Sequence, residues 1–350
     1  MADNNGSGGS NITIKSIAKE IGLSFSTVSK ALNGSSLVKE ETRASVLEKA
    51  REMGYSPNML ARGLRKKTTK SIGVIFNDVE NTVWIRIFKK ISIEMAKYGY
   101  TTLIGDGQFD QNIERSHIMS FLSRMPDFVI LSPSTASTDN LALFADMTDR
   151  LIVLGERIPN INCHYVDVDY ATGGYMSASE LLENGHTDNI IFTVPPEFPI
   201  STQYVQGIMR AYSEYGVPFE KERLIYKHTS IDSGYSSVMD LWDAEKEAFS
   251  IHFTGVMVFC DLMAHGIYKA LRKLGKRIPE DISVIGHDDN PLSEFSKPPL
   301  TTVCLPTEKM TESCLAIIKS VLIDDNKEIC HYFLDPTFVR RESVIQNSKC

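Results

Sequence analysis

No run of 18 apolar residues occurs in this 350-residue chain, which excludes a membrane-spanning helix. Met1 to Ser10 is Gly, Ser, Asn and Asp with no apolar stretch, which excludes a secretory signal, and 1–10 reads as a disordered leader. The six cysteines, at 163, 260, 304, 314, 330 and 350, form no C-x-x-C pair. Neither a disulfide framework nor a thiolate metal site is expected, and scattered thiols of this kind fit a cytoplasmic protein. Phosphate-cradling loops are missing too. Gly105-Asp-Gly107 is followed by Asp110 where G-x-G-x-x-G needs its third glycine, and no G-x-x-x-x-G-K-[ST] exists. G-x-S-x-G and H-x-x-x-H are absent, so nucleophile-elbow hydrolysis and zinc chemistry lose their usual signals. The chain is therefore read as no enzyme, with no cofactor and no metal. A metabolite-binding enzyme with an accessory domain is the remote alternative.

What is present is an uneven distribution of charge. Residues 11–70 hold 12 Lys and Arg against 5 Asp and Glu, a net of +7, while 71–350 hold 25 against 38, a net of −13. With 42% apolar residues the chain can bury a large core, and its length favours two or three domains. A small basic block on a large acidic body points to a polyanion partner for the block alone.

The block carries short helical periods. Ile14, Ile17, Ala18 and Ile21 mark one amphipathic helix with Thr13 as its cap, and Gly22 stops it. A second helix, about 25–32 and capped by Ser24, buries Val28, Ala31 and Leu32. A third, about 39–53, turns Val46, Leu47, Ala50 and Met53 inward. Two short helices joined by a tight glycine turn and propped by a third form a helix-turn-helix. The free face of the second helix offers Ser24, Ser26, Thr27, Ser29, Lys30 and Asn33. Small hydroxyls let a helix enter the major groove and contact phosphates while a longer side chain reaches base edges.

The run from Thr13 to Gly34, TIKSIAKEIGLSFSTVSKALNG, resembles the signature of the LacI family of bacterial repressors. Glu41-Thr-Arg43, Gly54-Tyr-Ser-Pro-Asn58 and Ala61-Arg-Gly-Leu-Arg65 continue it in register. The resemblance implies that Phe25, Ser26 and Lys30 read bases and that Ser24, Thr27, Ser29 and Asn33 hold phosphates of double-stranded operator DNA. Lys30 stands where Arg is usual and lacks the planar fork that fixes bidentate geometry. Residues 58–70 would be hinge helix and linker after a DNA-binding domain at 11–57. In that hinge Asn58, Ala61 and Arg62 flank Leu64, an apolar wedge for the minor groove.

From 71 to 350, short apolar runs alternate with helical stretches, at 72–76, 101–104, 128–131, 151–154, 190–194, 224–226, 256–259 and 282–285. Such alternation means parallel sheets covered by helices, and ligands in these folds bind beyond the carboxyl ends of the strands. The pieces Ile72-Gly-Val-Ile-Phe76, Gly255-Val-Met-Val-Phe259, Ile278-Pro-Glu-Asp-Ile-Ser-Val-Ile-Gly286 and Val339-Arg-Arg-Glu-Ser343 resemble the family's regulatory domain. The implied fold is thus a small all-α helix-turn-helix domain followed by an α/β, two-lobed, periplasmic-binding-protein-like domain with parallel sheets. The chain would cross between lobes near 168, 297 and 330. No heptad tail follows Ser343, so a homodimer is the expected assembly.

Lining the effector cleft would be Asn77, Asp78, Asn81, Trp84, Asp106, Ser132, Glu156, Arg157, Tyr204, Cys260, Asp261 and Asp288. Trp84 suits lobe core and stacking platform equally; Asp261 could instead cap a turn, Arg157 make a surface ion pair, and Cys260 simply fill space. Against the family pattern, Tyr204 replaces an Arg and Cys260 an Asn, which removes two common anchors for sugar hydroxyls. The expected effector is a carbohydrate or related metabolite, with a protein co-regulator as the alternative partner.

Overall fold

A computed structural model describes residues 12–55, 68–134, 138–158 and 161–347, and the chain divides into one unit up to Thr69 and another from Lys70. In the first unit, α1 (Ile14–Glu20) opens on a capping box, with the Thr13 hydroxyl accepting from the Ser16 N–H and the Ser16 hydroxyl oxygen from the Thr13 N–H. Gly22 takes φ +64°, a turn that glycine adopts without strain. Helix α2 (Phe25–Leu32) begins at Ser24, whose hydroxyl oxygen accepts from the Thr27 N–H at 3.1 Å. Helix α3 (Glu40–Glu52) props the pair, and Ile17, Ala18, Val28, Ala31, Val46 and Ala50 form the core. Leu47 does not turn inward as expected. It lies about 100° around the helix from Val46, whose face with Ala50 meets the core, and is 46% exposed. Leu32 and Met53 are half-buried.

The second unit starts with β1 (Ser71–Phe76), α4 (Thr82–Ala96), β2 (Thr101–Asp106), α5 (Gln111–Leu122), β3 (Phe128–Leu131), β4 (Leu151–Gly155) and β5 (His164–Val168). It then passes through α6 (Tyr170–Glu183), β6 (Asn189–Thr193), α7 (Pro199–Glu214), β7 (Leu224–Tyr226) and α8 (Ile231–Asp240). A small hairpin, β8 (Trp242–Asp243) and β9 (Ala248–Phe249), precedes β10 (Gly255–Val258), α9 (Asp261–Lys273), β11 (Ser283–Asp288) and β12 (Thr301–Cys304). The chain returns through α10 (Thr307–Leu322) and β13 (His331–Leu334) and ends with β14 (Thr337–Val339).

Two six-stranded sheets result, β13-β5-β4-β3-β1-β2 and β14-β12-β11-β10-β6-β7. Every pairing in the first is parallel; in the second only β14 runs antiparallel. The crossings between lobes therefore fall after Val168, after Cys304 and after Leu334, correcting the expected 297 and 330. The two shifts have separate reasons: β12 pairs with β11 and keeps the chain in the second sheet as far as Cys304, and β13, an exposed edge with little apolar signal, keeps it in the first as far as Leu334. Such pairings exist only in three dimensions, as with His331 opposite Tyr165.

Glycines set the closest helix contacts. A Cβ on Gly207 of α7 would lie 1.8 Å from the Ala171 carbonyl oxygen of α6, and one on Gly174 of α6 would lie 2.0 Å from that of Tyr204. No helix among the described residues is long and apolar enough to cross a membrane.

Candidate DNA-reading helix and effector cleft

On α2 the buried residues are Val28 and Ala31, which leaves the opposite face free. Phe25 is 45% exposed at its start, and Ser26 and Lys30 are exposed one turn apart on it. The three expected base readers therefore share one accessible stretch. The expected phosphate contacts are partly engaged within the helix. Ser24 caps the first turn, and its hydroxyl lies 2.9 Å from that of Thr27. Asn33 donates its amide to the Ser29 carbonyl at 2.7 Å. Asn58, Ala61, Arg62 and Leu64 lie outside the described residues.

In the second unit the carboxyl ends of the two sheets face one another. Asn81 donates its amide to the Asp288 carboxylate at 2.9 Å, joining residues 207 apart in sequence, while its own Oδ1 caps α4 through the Val83 N–H. Phe109, after β2, meets Phe198, before α7, edge to face with centroids 5.3 Å apart. Asp288 has φ +116° and Asp289 φ +55°. Such backbone costs of order 1–3 kcal/mol in a residue with a Cβ and is characteristic of functional sites.

The first lobe contributes most of the expected residues. Asn77 is buried, and its Oδ1 has no hydrogen-bond partner. Asp78 accepts from the Glu80 N–H, and Asp106 from those of Val79 and Gln108. Burial, with Glu80, Asp106 and Asp288 adding like charge, pushes the Asp78 carboxyl up to about 6. Trp84 lies in the lobe core, 6% exposed and stacked on Phe76 at 5.5 Å, with its ring edge against Gly155. Ser132 borders the same spot. Glu156, just past β4, is buried with Oε2 unpartnered. Burial first, then Asp167 and Glu114, raise its carboxyl to about 8.

Four expected cleft residues serve the scaffold instead. Tyr204 is fully buried, its ring edge-on to Phe259 and His287 in the lobe core, because α7 presses that side of itself onto α6. Asp261 turns inward: its carboxylate accepts from the Asn290 N–H at 2.8 Å and from the hydroxyls of Ser293 and Thr302 at 2.6 and 2.7 Å. It ties the loop after β11 to the start of α9. Arg157 is exposed with its guanidinium 6.0 Å over the Tyr165 ring. Cys260 is buried at the cap of α9, where burial drives its thiol well above the usual value, so it fills space. Sequence reasoning passed over Tyr170 and the Phe109–Phe198 pair. Tyr170 stacks on His287 with centroids 5.8 Å apart, and its position two residues past the first crossing was the available signal. Among the described residues no His, Cys, Asp and Glu cluster could hold a metal.

A serine-faced recognition-type helix in one unit and a two-lobed cleft in the other define a DNA-binding regulator with a sugar-binding-type domain. Residues 13–58 match the bacterial regulatory proteins of the lacI family, and residues 178–344 match the periplasmic binding protein-like domain. The HTH-type transcriptional repressor PurR of Glaesserella parasuis is 31% identical over 292 residues, covering 83% of this chain and 84% of that protein. A LacI family regulator from Enterococcus faecium with bound ribose is 25% identical, with a TM-score of 0.70, over 79% of this chain and all of that one. The lac repressor dimer bound to operator and the anti-inducer ONPF shares the fold at 21% identity and a TM-score of 0.76, over 95% and 99%. This chain belongs to the LacI family of transcriptional regulators, and its relatives are regulators, not enzymes.

Proposed function

We propose that the chain is a cytoplasmic repressor that binds a pseudo-palindromic operator as a homodimer, one α2 in the major groove of each half-site. Phe25, Ser26 and Lys30 read bases; Ser24, Thr27, Ser29 and Asn33 hold phosphates; Leu64, with Asn58, Ala61 and Arg62, enters the minor groove from the 58–70 hinge. A small molecule, a carbohydrate or related metabolite, binds between the lobes at Asn77, Asp78, Asn81, Trp84, Asp106, Ser132 and Asp288, and changes affinity for DNA. The carrying observation is the Asn81–Asp288 hydrogen bond across the lobes. It makes lobe closure depend on two side chains that a ligand would engage, so a ligand that replaces this bond prefers one lobe arrangement. Selection of sites from random duplex DNA by the full chain, followed by sedimentation of the complex, tests the reading. Enriched inverted repeats with two chains per site are expected; sites without two-fold symmetry, or one chain per site, would overturn it.

A further inference from the structure

The cleft side of the first lobe is made of acids and acceptors. Asp78 follows β1, Asp106 ends β2 and Glu156 follows β4, and from the other lobe Asp288 reaches Asn81 and adds its charge to Asp78. The charges acting most on Asp78 are Glu80, Asp106 and Asp288, and those acting on Glu156 are Asp167 and Glu114. All are carboxylates. Arg157, next to Glu156 in sequence, lies over Tyr165 and acts on Asp167 instead.

A second observation is independent of charge. Asn77 and Glu156 are 5% and 4% exposed, and Asn77 Oδ1 and Glu156 Oε2 have no donor. Buried acceptors of this kind are unfavourable until a donor reaches them. The Trp84 ring edge and the Tyr170 hydroxyl meet at Gly155, the neighbour of Glu156 in sequence, so these acceptors lie beside apolar surface and away from water.

We infer that the cleft is built for an organic cation carrying N–H donors, an amine-bearing small molecule, in preference to a neutral or phosphorylated sugar. This rests on the proposed effector role of the cleft and names the class of its ligand. The ammonium satisfies the unpartnered acceptors and offsets the carboxylates, while the raised Asp78 and Glu156 carboxyls are those of a cleft without its cation. Amine binding therefore releases protons from them near neutral pH.

The test uses the full chain and three sets of probes: D-glucosamine, D-galactosamine and putrescine as cations, D-glucose and D-galactose as neutral counterparts, and D-glucose 6-phosphate as an anion. Thermal shift locates binding, and calorimetry in two buffers of different ionisation enthalpy counts protons. Stabilisation by one or more amines with proton release is expected, and Glu156→Gln and Asp78→Asn each weaken that binding at least tenfold. Asp78→Asn covers the case in which the buried variant folds poorly. Stabilisation confined to neutral or phosphorylated sugars, or amine binding unaffected by either substitution, overturns the charge inference and leaves the effector cleft standing. Stabilisation by none of the sets overturns both readings.

Discussion

Glu156 makes the stability of the second unit depend on pH in a direction opposite to that of an ordinary paired carboxylate. Its carboxyl rises from 4.5 to about 8, chiefly through burial and then through Asp167 and Glu114. A folded-state value above the unfolded one means that the folded chain keeps its proton longer. Stability is then fully present below about pH 4.5, falls as pH rises to about 8, and is level beyond. At 1.36 kcal/mol per unit, this one group takes away about 5 kcal/mol across that window. Glu156→Gln keeps the shape and cannot ionise, so the variant should match the parent near pH 5 and exceed it by about 5 kcal/mol at pH 9. For a unit of this size the gap corresponds to roughly 10 °C or more in melting temperature. Asp78, Asp167 and Asp261 are also raised, but they are present in both proteins and drop out of the difference. The assay is a tryptophan-fluorescence melt at pH 5, 7 and 9. Both tryptophans, Trp84 and Trp242, belong to the second unit, so the signal reports that unit alone. A gap that stays within about 1 kcal/mol from pH 5 to 9 would refute the desolvation argument.

Three further outcomes follow from named contacts. Lys30→Ala should lower affinity for the selected operator by about 1 kcal/mol more than for scrambled duplex, measured by competition at fixed salt, and equal losses would rule out base reading by Lys30. Gly207→Ala puts a methyl 1.8 Å from a backbone oxygen that cannot swing aside, so α6 and α7 must separate. The expected loss is about 3 kcal/mol or more in urea unfolding, and a variant as stable as the parent would contradict the packing. Asp261→Ala strands three buried donors at about 1–3 kcal/mol each, less what its own desolvation costs, whereas Asp288→Ala removes the partner of only the Asn81 amide and the His287 ring nitrogen, so it should cost less stability and abolish the response to ligand. The reverse pattern would return Asp261 to the cleft.

The helix-turn-helix was legible from the amino-acid order because its signals are local. The Thr13 and Ser24 caps, the Gly22 turn and the Val28–Ala31 stripe each involve residues at most four apart, and helical geometry alone places them. The alternation of apolar runs with helical periods likewise indicated parallel α/β lobes, and the basic block stood apart from an acidic body by simple count. Only the tertiary structure decided what lines the cleft. Asp261 and Asp288 are both acids at the carboxyl ends of neighbouring central strands, β10 and β11, yet one turns in to hold Asn290, Ser293 and Thr302 and the other reaches across to Asn81. Tyr204 lies in the core because Gly174 and Gly207 let α6 and α7 come close, and β13 joins the first sheet only because it pairs with β5. Partners such as Asn81 and Asp288, 207 positions apart, leave no periodic trace in sequence, since sheet order and lobe closure, not neighbouring residues, bring them together.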